Sequence, residues 1–159
     1  MPTLFLLRHA QAASFSAGAG DAARTLTDHG HDQARRVGDV LASAAVGHVL
    51  CSSAKRTRQT LDGLALDCSV EYLDAIYNAG SETIMSCIGE VDPTVETLLV
   101  IGHAPGIPTV AHQLAREGSD ADAVRTLDRG YPTATLTRVD VDAWDTLETT
   151  RVTHVYLTD

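Results

Sequence analysis

Residues 97–106 read TLLVIGHAPG. Four unbroken apolar residues, Leu98 to Ile101, run up to Gly102 and stop at His103. A short continuous apolar run bounded by glycine is the pattern of a strand buried on both faces. Pro105 follows, and proline suits the first position of a helix, where its fixed φ is useful and its missing N–H costs nothing. The stretch therefore reads as strand, tight turn, helix. Residues 3–10, TLFLLRHA, repeat the pattern: Leu4 to Leu7 are apolar and the run ends on Arg8-His9. Strands end at surfaces, so one polar terminus is ordinary. Two strands ending on histidine, one of them beside an arginine, mark a site.

Outward from these stretches the pattern alternates. A strand is expected at 3–8 and a loop rich in Ala, Gly and Ser at 12–23. A helix capped by Thr27 or Asp28 runs to about 44, with Ala34, Val37, Val40 and Leu41 on one face. A short strand follows at 48–51 and a helix at 54–66. Ser81 is placed to cap another helix, with Glu82 in its first turn. The strand at 97–102 leads into a helix at 105–116. Residues 134–141 and 151–157 alternate as hairpin strands do, linked by 140–150. Strands alternating with helices predict an α/β fold: a three-layer α/β/α sandwich with a mostly parallel central sheet and antiparallel C-terminal strands. In such sheets ligands bind beyond the carboxyl ends of the strands, where Arg8, His9 and His103 fall. No internal repeat or linker divides residues 1–159, so a single domain is expected.

The 159 residues are 44% hydrophobic and 21% charged, ordinary for a globular chain with a sizeable core. A formal net charge of −9 argues against nucleic acid or an anionic membrane as partner, since the average surface repels both. No stretch approaches the ~20 apolar residues that span a bilayer. The N-terminal apolar run is short and lacks a preceding cationic region, unlike a signal peptide. Cys51, Cys68 and Cys87 are odd in number and form no CxxC pair, the usage of reduced thiols in cytoplasm. His29 and His31, two apart on a helix, point away from each other and do not suit a metal. His48, His112 and His154 show no evident partners in sequence.

A third segment, CSSAKRTRQT at 51–60, also follows a strand. Lys55, Arg56 and Arg58 sit near the start of a helix, where the dipole disfavours cations. An anion bound there would resolve the conflict, because helix N-termini and arginines both attract phosphate. A solvated basic turn is the other reading.

Four pieces in order, LLRHAQA, LTDHGHDQA, SSAKRTRQT and VIGHAPG, resemble the histidine phosphatase superfamily, the phosphoglycerate-mutase-like fold. They cover most of residues 3–110. The family hallmark Arg-His-Gly has Ala10 in its third place here, as short members commonly do. His103 lies only 47 positions after Arg56. Larger members insert long segments there, so the chain looks most like the short bacterial phosphohistidine phosphatases. The resemblance implies a metal-independent phosphatase with no cofactor. His9 matches the nucleophile, which accepts the phosphoryl group on a ring nitrogen; Arg8, Arg56 and His103 match the residues that bind phosphoryl oxygens. Phosphoryl transfer spreads negative charge over the equatorial oxygens, which suits converging cations. The same cations favour neutral His9.

Other positions stay open. Arg24, where relatives carry Arg-Pro-Leu-Thr and this chain has Thr25 for the proline, either lines the entrance or covers a helix start. Ser16 in the 12–23 loop is a further candidate for phosphate. Family members that cleave esters use a carboxylate acid. Asp74, three residues before Tyr77, is the match for it, or else a surface carboxylate. Three functions are open: a phosphatase acting on phosphohistidine of a partner protein; a phosphatase acting on a small phosphate monoester; or a non-catalytic phosphate-binding module. The short chain leaves an open site, which suits a side chain presented by another protein.

Overall fold

The computed structural model describes residues 1–14 and 18–158. Six strands form one sheet: β1 (Thr3–Arg8), β2 (His48–Ser52), β3 (Ser69–Leu73), β4 (Thr97–Gly102), β5 (Leu136–Val141) and β6 (Thr150–Tyr156), in the order β3-β2-β4-β1-β5-β6. The pairs β1/β4, β2/β4 and β2/β3 are parallel; β1/β5 and β5/β6 are antiparallel. Five helices cover it: α1 (Asp28–Leu41), α2 (Lys55–Leu64), α3 (Ser81–Gly89), α4 (Gly106–Leu114) and α5 (Ala121–Asp128). Among the described residues no helix is long and apolar enough to cross a membrane.

The central strands explain the layers. Successive side chains of a strand point to opposite faces. Leu4 and Leu6 of β1, with Leu98 and Val100 of β4, pack under α3, α4 and α5 together with Ile84, Ile107, Val110 and Leu127. Phe5 and Leu7, with Leu99 and Ile101, pack under α1 and α2 together with Ala34, Val37, Leu61 and Leu64. Both faces are covered, so these strands have no polar alternation. Each fully buried Leu or Ile of this kind contributes about 1.5–3 kcal/mol of burial free energy.

The topology also makes the crevice. The chain leaves β1 toward β2 and leaves β4 toward β5, on opposite sides of the adjacent pair β1/β4. The helices that come next, α1 and α4, lie in opposite layers. The carboxyl ends of β1 and β4 are therefore a switch point, where the diverging connections open a cleft. The ladder continues one residue past β1, since His9 N donates to the Gly102 carbonyl at 3.0 Å.

Several local expectations are corrected. Helix α1 ends at Leu41, and Val40 is exposed rather than on the buried face, where Gly30 and Gln33 sit instead. Thr27 does cap α1, accepting from Gly30 N. Ser81 is the first residue of α3 and makes no side-chain cap. Pro105 is the N-cap of α4 rather than its first residue. Strand β3 and helix α5 are additions; α5 is capped by Asp120, which accepts from Ala123 N. His48 has partners after all, Ser69 Oγ at 2.6 Å and Glu71 Oε2 at 2.7 Å on the edge strand.

Gly30 sets how closely α1 approaches the turn after β1. A Cβ there would lie 2.1 Å from the Gln11 carbonyl oxygen, two residues beyond His9. That carbonyl also accepts from Thr27 N at 3.0 Å. Gly30→Ala is expected to displace this loop and to lower stability by about 1–3 kcal/mol, as overpacking does, read as a shift of the urea midpoint.

Candidate active site

His9 is seated from behind. The Ala10 N–H donates to Thr60 Oγ1 of α2 at 3.0 Å, and the Gln11 N–H to Gln33 Oε1 of α1 at 2.8 Å. Both helices thus hold the turn after β1. The ring itself is buried, with Nδ1 2.7 Å from the Ala10 carbonyl oxygen. A carbonyl only accepts, so Nδ1 carries the hydrogen and Nε2 keeps its lone pair in the neutral ring. Burial lowers the His9 pKa to about 4, with Arg56, Arg8 and Arg24 adding to the effect. At neutral pH the ring is uncharged.

His103 lies against it, ring centres 5.4 Å apart. Its Nε2 is 2.7 Å from Ser52 Oγ at the end of β2, and Nδ1 is buried without a partner among the described residues. Burial, then Arg56 and His9, lower its pKa to about 3. Arg8 donates from Nη1 to the Tyr131 carbonyl at 2.8 Å, and its Nε is another buried atom without a partner among the described residues. Arg56, in the first turn of α2, is 5% exposed; its Nε is likewise unpartnered among them.

The basic segment 55–58 divides. Lys55 faces solvent. Arg58 donates from Nε to the Ser53 carbonyl, and its guanidinium lies 4.3 Å from the centre of the Tyr72 ring. Arg56 alone turns inward. Lys55 and Arg58, three apart, share the exposed side of the helix, and Arg56 falls on the buried side.

Two residues enter that sequence reasoning missed. Asp21, in the short 3₁₀ turn Asp21–Ala23, accepts from Arg56 Nη2 at 3.1 Å and from Arg24 Nη1 at 3.0 Å. The Tyr77 hydroxyl also donates to Asp21 in a short hydrogen bond. Tyr77 in turn stands edge-on to His103, ring centres 5.6 Å apart. Hydrogen bonds from Tyr77 and Arg24 hold the Asp21 carboxyl well below the usual carboxylate range. Arg24 is drawn into this group, its Nε anchored to the Ala13 carbonyl at 2.6 Å. Asp74 is exposed and begins the turn whose last carbonyl-to-amide bond reaches Tyr77 N. The carboxylate against Arg56 is Asp21. Ser16 lies outside the described residues. A separate cleft of about 900 Å³ between the C-terminal ends of α1 and α2 contains none of these side chains.

Buried histidines with depressed pKa values set a pH dependence. Between about pH 6.5 and 4 the unfolded chain takes up a proton that folded His9 refuses, and His103 behaves alike to about 3. Stability is therefore expected to fall as pH drops through this window. The check is twofold. The His9 ring signal in NMR should titrate with a midpoint near 4 rather than 6.5, and the urea midpoint should decline from pH 7 to 4.

A mostly parallel sheet with two histidines and two arginines at its switch point is an arrangement with the charge to attract an oxyanion. Residues 4–78 match the model of the histidine phosphatase superfamily, branch 1. A protein of Mycobacterium tuberculosis without a characterized function is 36% identical over 131 residues, 80% of this chain and 82% of that one. The structure of a candidate phosphohistidine phosphatase, SixA, from Nakamurella multipartitia superposes with a TM-score of 0.88 at 32% identity, covering 98% of this chain and 95% of that one. A corresponding SixA candidate from Agrobacterium tumefaciens gives 0.83 at 27% identity, covering 98% of each chain. The chain belongs to the histidine phosphatase superfamily.

Proposed function

We propose that the protein is a phosphatase that takes the phosphoryl group of phosphohistidine on a partner protein onto Nε2 of its own His9 and then releases it to water. One observation carries this reading. A neutral imidazole with its Nε2 lone pair unprotonated has His103 against it and Arg8 and Arg56 near enough to lower its pKa, and each of those three residues carries a buried nitrogen, Arg8 Nε, Arg56 Nε and His103 Nδ1, with no partner among the described residues. An unsatisfied buried donor costs about 1–3 kcal/mol, and oxygens of a phosphoryl group would satisfy all three together. For His103 this requires the Ser52 hydroxyl to donate to Nε2, leaving the hydrogen on Nδ1.

The steps balance. The His9 Nε2 lone pair attacks phosphorus, the substrate P–N bond breaks, and its electron pair returns to the leaving ring nitrogen. One imidazole replaces another. Water then attacks the phosphohistidine of His9, the pair of the P–N bond returns to Nε2, and the water proton leaves with inorganic phosphate. Throughout, Nδ1–H stays on the Ala10 carbonyl. The guanidinium groups of Arg8 and Arg56 stabilise the charge on the equatorial oxygens, so no metal or cofactor enters these steps.

The choice of substrate rests on the carboxylates. An alkoxide leaving group needs a carboxylic acid of raised pKa. Asp21 is shifted the other way, and Asp74 is exposed. An imidazole whose second nitrogen is already protonated leaves without such help. The likeness to the two SixA candidates supports the same substrate class.

The test compares turnover of a phosphohistidine protein with that of a panel of phosphate monoesters, with and without EDTA. The expected result is a preference for phosphohistidine of at least about 10²-fold, the low end of general acid catalysis, unchanged by the chelator. Asp74→Asn should leave phosphohistidine turnover within about twofold, since general acid catalysis is not needed there. Faster turnover of a monoester would replace this reading with a small-molecule phosphatase. Binding without turnover of either would leave a phosphate-binding module.

A further inference from the structure

Arg56 meets the 3₁₀ turn through one edge of its guanidinium. Nη1 donates to the Asp21 carbonyl oxygen at 3.0 Å, and Nη2 donates to Asp21 Oδ2 at 3.1 Å. Those two bonds occupy the terminal edge of the planar fork. The side edge, formed by Nε–H and the other hydrogen of Nη2, is left over, and Nε is buried without a partner among the described residues. A guanidinium with five donors in fixed directions can serve a different acceptor along each edge. Asp21 is itself held from two further directions, by Arg24 Nη1 on Oδ1 and by the Tyr77 hydroxyl on Oδ2. Tyr77 braces the group from the other side, its ring centre 5.8 Å from the Arg56 guanidinium carbon and edge-on to His103.

We infer that Asp21 is a positioning residue that clamps the terminal edge of Arg56, so that the Nε edge faces a phosphoryl group bound at His9. The inference rests on the phosphate-binding role proposed for Arg56. It assigns the 3₁₀ turn a task in anion recognition. The turn fixes the direction of a donor to the phosphoryl group, the Arg56 guanidinium. The carboxylate suits this task because it stays ionised: its pKa is depressed by Tyr77, Arg24 and Arg56.

Charge alone makes the opposite prediction, which permits a decisive test. If Asp21 merely neutralised Arg56, removing the carboxylate would make Arg56 a stronger anion ligand. If Asp21 aims Arg56, removing it makes Arg56 a weaker one. Tungstate affinity should be measured by calorimetry for the parent protein, Arg56→Ala, Asp21→Asn and the double variant. With Asp21 present, Arg56→Ala should weaken tungstate binding about tenfold or more, the scale of a charged hydrogen bond. In the Asp21→Asn background the same change should cost less than about threefold, a coupling of the kind that contacting residues show. A loss equal or larger in that background would overturn the inference, as would an Arg56→Ala protein that binds tungstate like the parent. A merely structural part for Asp21 would lower affinity equally in both backgrounds. The Asp21 side chain is 48% exposed, so the substitution creates no buried void, and Asp21→Ala repeats the cycle without any side-chain acceptor. Tungstate binding needs no turnover. Failure of the parent protein to hydrolyse phosphohistidine would therefore strike the proposed function and leave this measurement readable.

Discussion

His9→Ala is expected to lower kcat on phosphohistidine protein by roughly 10⁴–10⁶-fold, the range over which loss of a covalent nucleophile lowers turnover. The expectation comes from the ring's surroundings. Ala10 O holds Nδ1–H, Thr60 holds Ala10, and burial keeps the ring neutral, so Nε2 is the atom left with a lone pair. His103 cannot substitute for it, because its Nε2 is engaged with Ser52 and its Nδ1 then carries the hydrogen and has no lone pair to attack with. Substrate binding should survive the change, since Arg8, Arg56 and His103 remain. Steady-state turnover together with a tungstate titration separates the two effects. Turnover within a few-fold of the parent protein would exclude His9 as the nucleophile.

Arg56→Lys should be almost as damaging, lowering kcat by about 10²–10³-fold, as loss of one preorganised donor to a developing oxyanion does. Lysine keeps the charge but is a single point on a flexible stem. It cannot bind the Asp21 carboxylate and carbonyl along one edge while offering a second edge elsewhere. The lost activity should appear mainly in kcat, because the geometry matters most as charge builds on the equatorial oxygens. Single-turnover kinetics would show this as a slower phosphoryl-transfer step. A lysine variant with parental kcat would mean that charge alone suffices at this position.

The contrast between residues found and residues missed has a physical cause. Strands β1 and β4 were readable to the residue because they are central and buried on both faces, which forces a continuous apolar run ending where the sheet ends. His9 and His103 stand out for the same reason: each is the first titratable ring after such a run. By its own chemistry Arg56 reads only as one of three cations; it is the resemblance to the family, carried by SSAKRTRQT, that separates it from Lys55 and Arg58. Its inward direction depends on the phase of α2 against the sheet. Strand β3 was illegible because it is an edge strand, with Ser69, Glu71 and Tyr72 exposed and little apolar pattern left. Helix α5 buries only Ala123 and Leu127 over its two turns, too few positions to set a period. Asp21 is one of 21 acidic residues. Its spacing to Arg24 predicts a local ion pair, but its contacts with Arg56, 35 residues away, and Tyr77, 56 residues away, are made only by the folded loop. Tyr77 served as a landmark for Asp74 in sequence, whereas in the structure Tyr77 itself meets His103 and Asp21, and Asp74 remains outside.

The phosphorylated intermediate is the most direct point of attack. The protein should be mixed with a radiolabelled phosphohistidine protein, quenched in alkali within the turnover time to preserve P–N bonds, digested and mapped by mass spectrometry. One labelled peptide carrying a phosphoryl group on Nε2 of His9, forming and decaying at rates that match turnover and absent from His9→Ala, is the predicted result. Turnover with no label on His9, or with the label on another side chain, would contradict it.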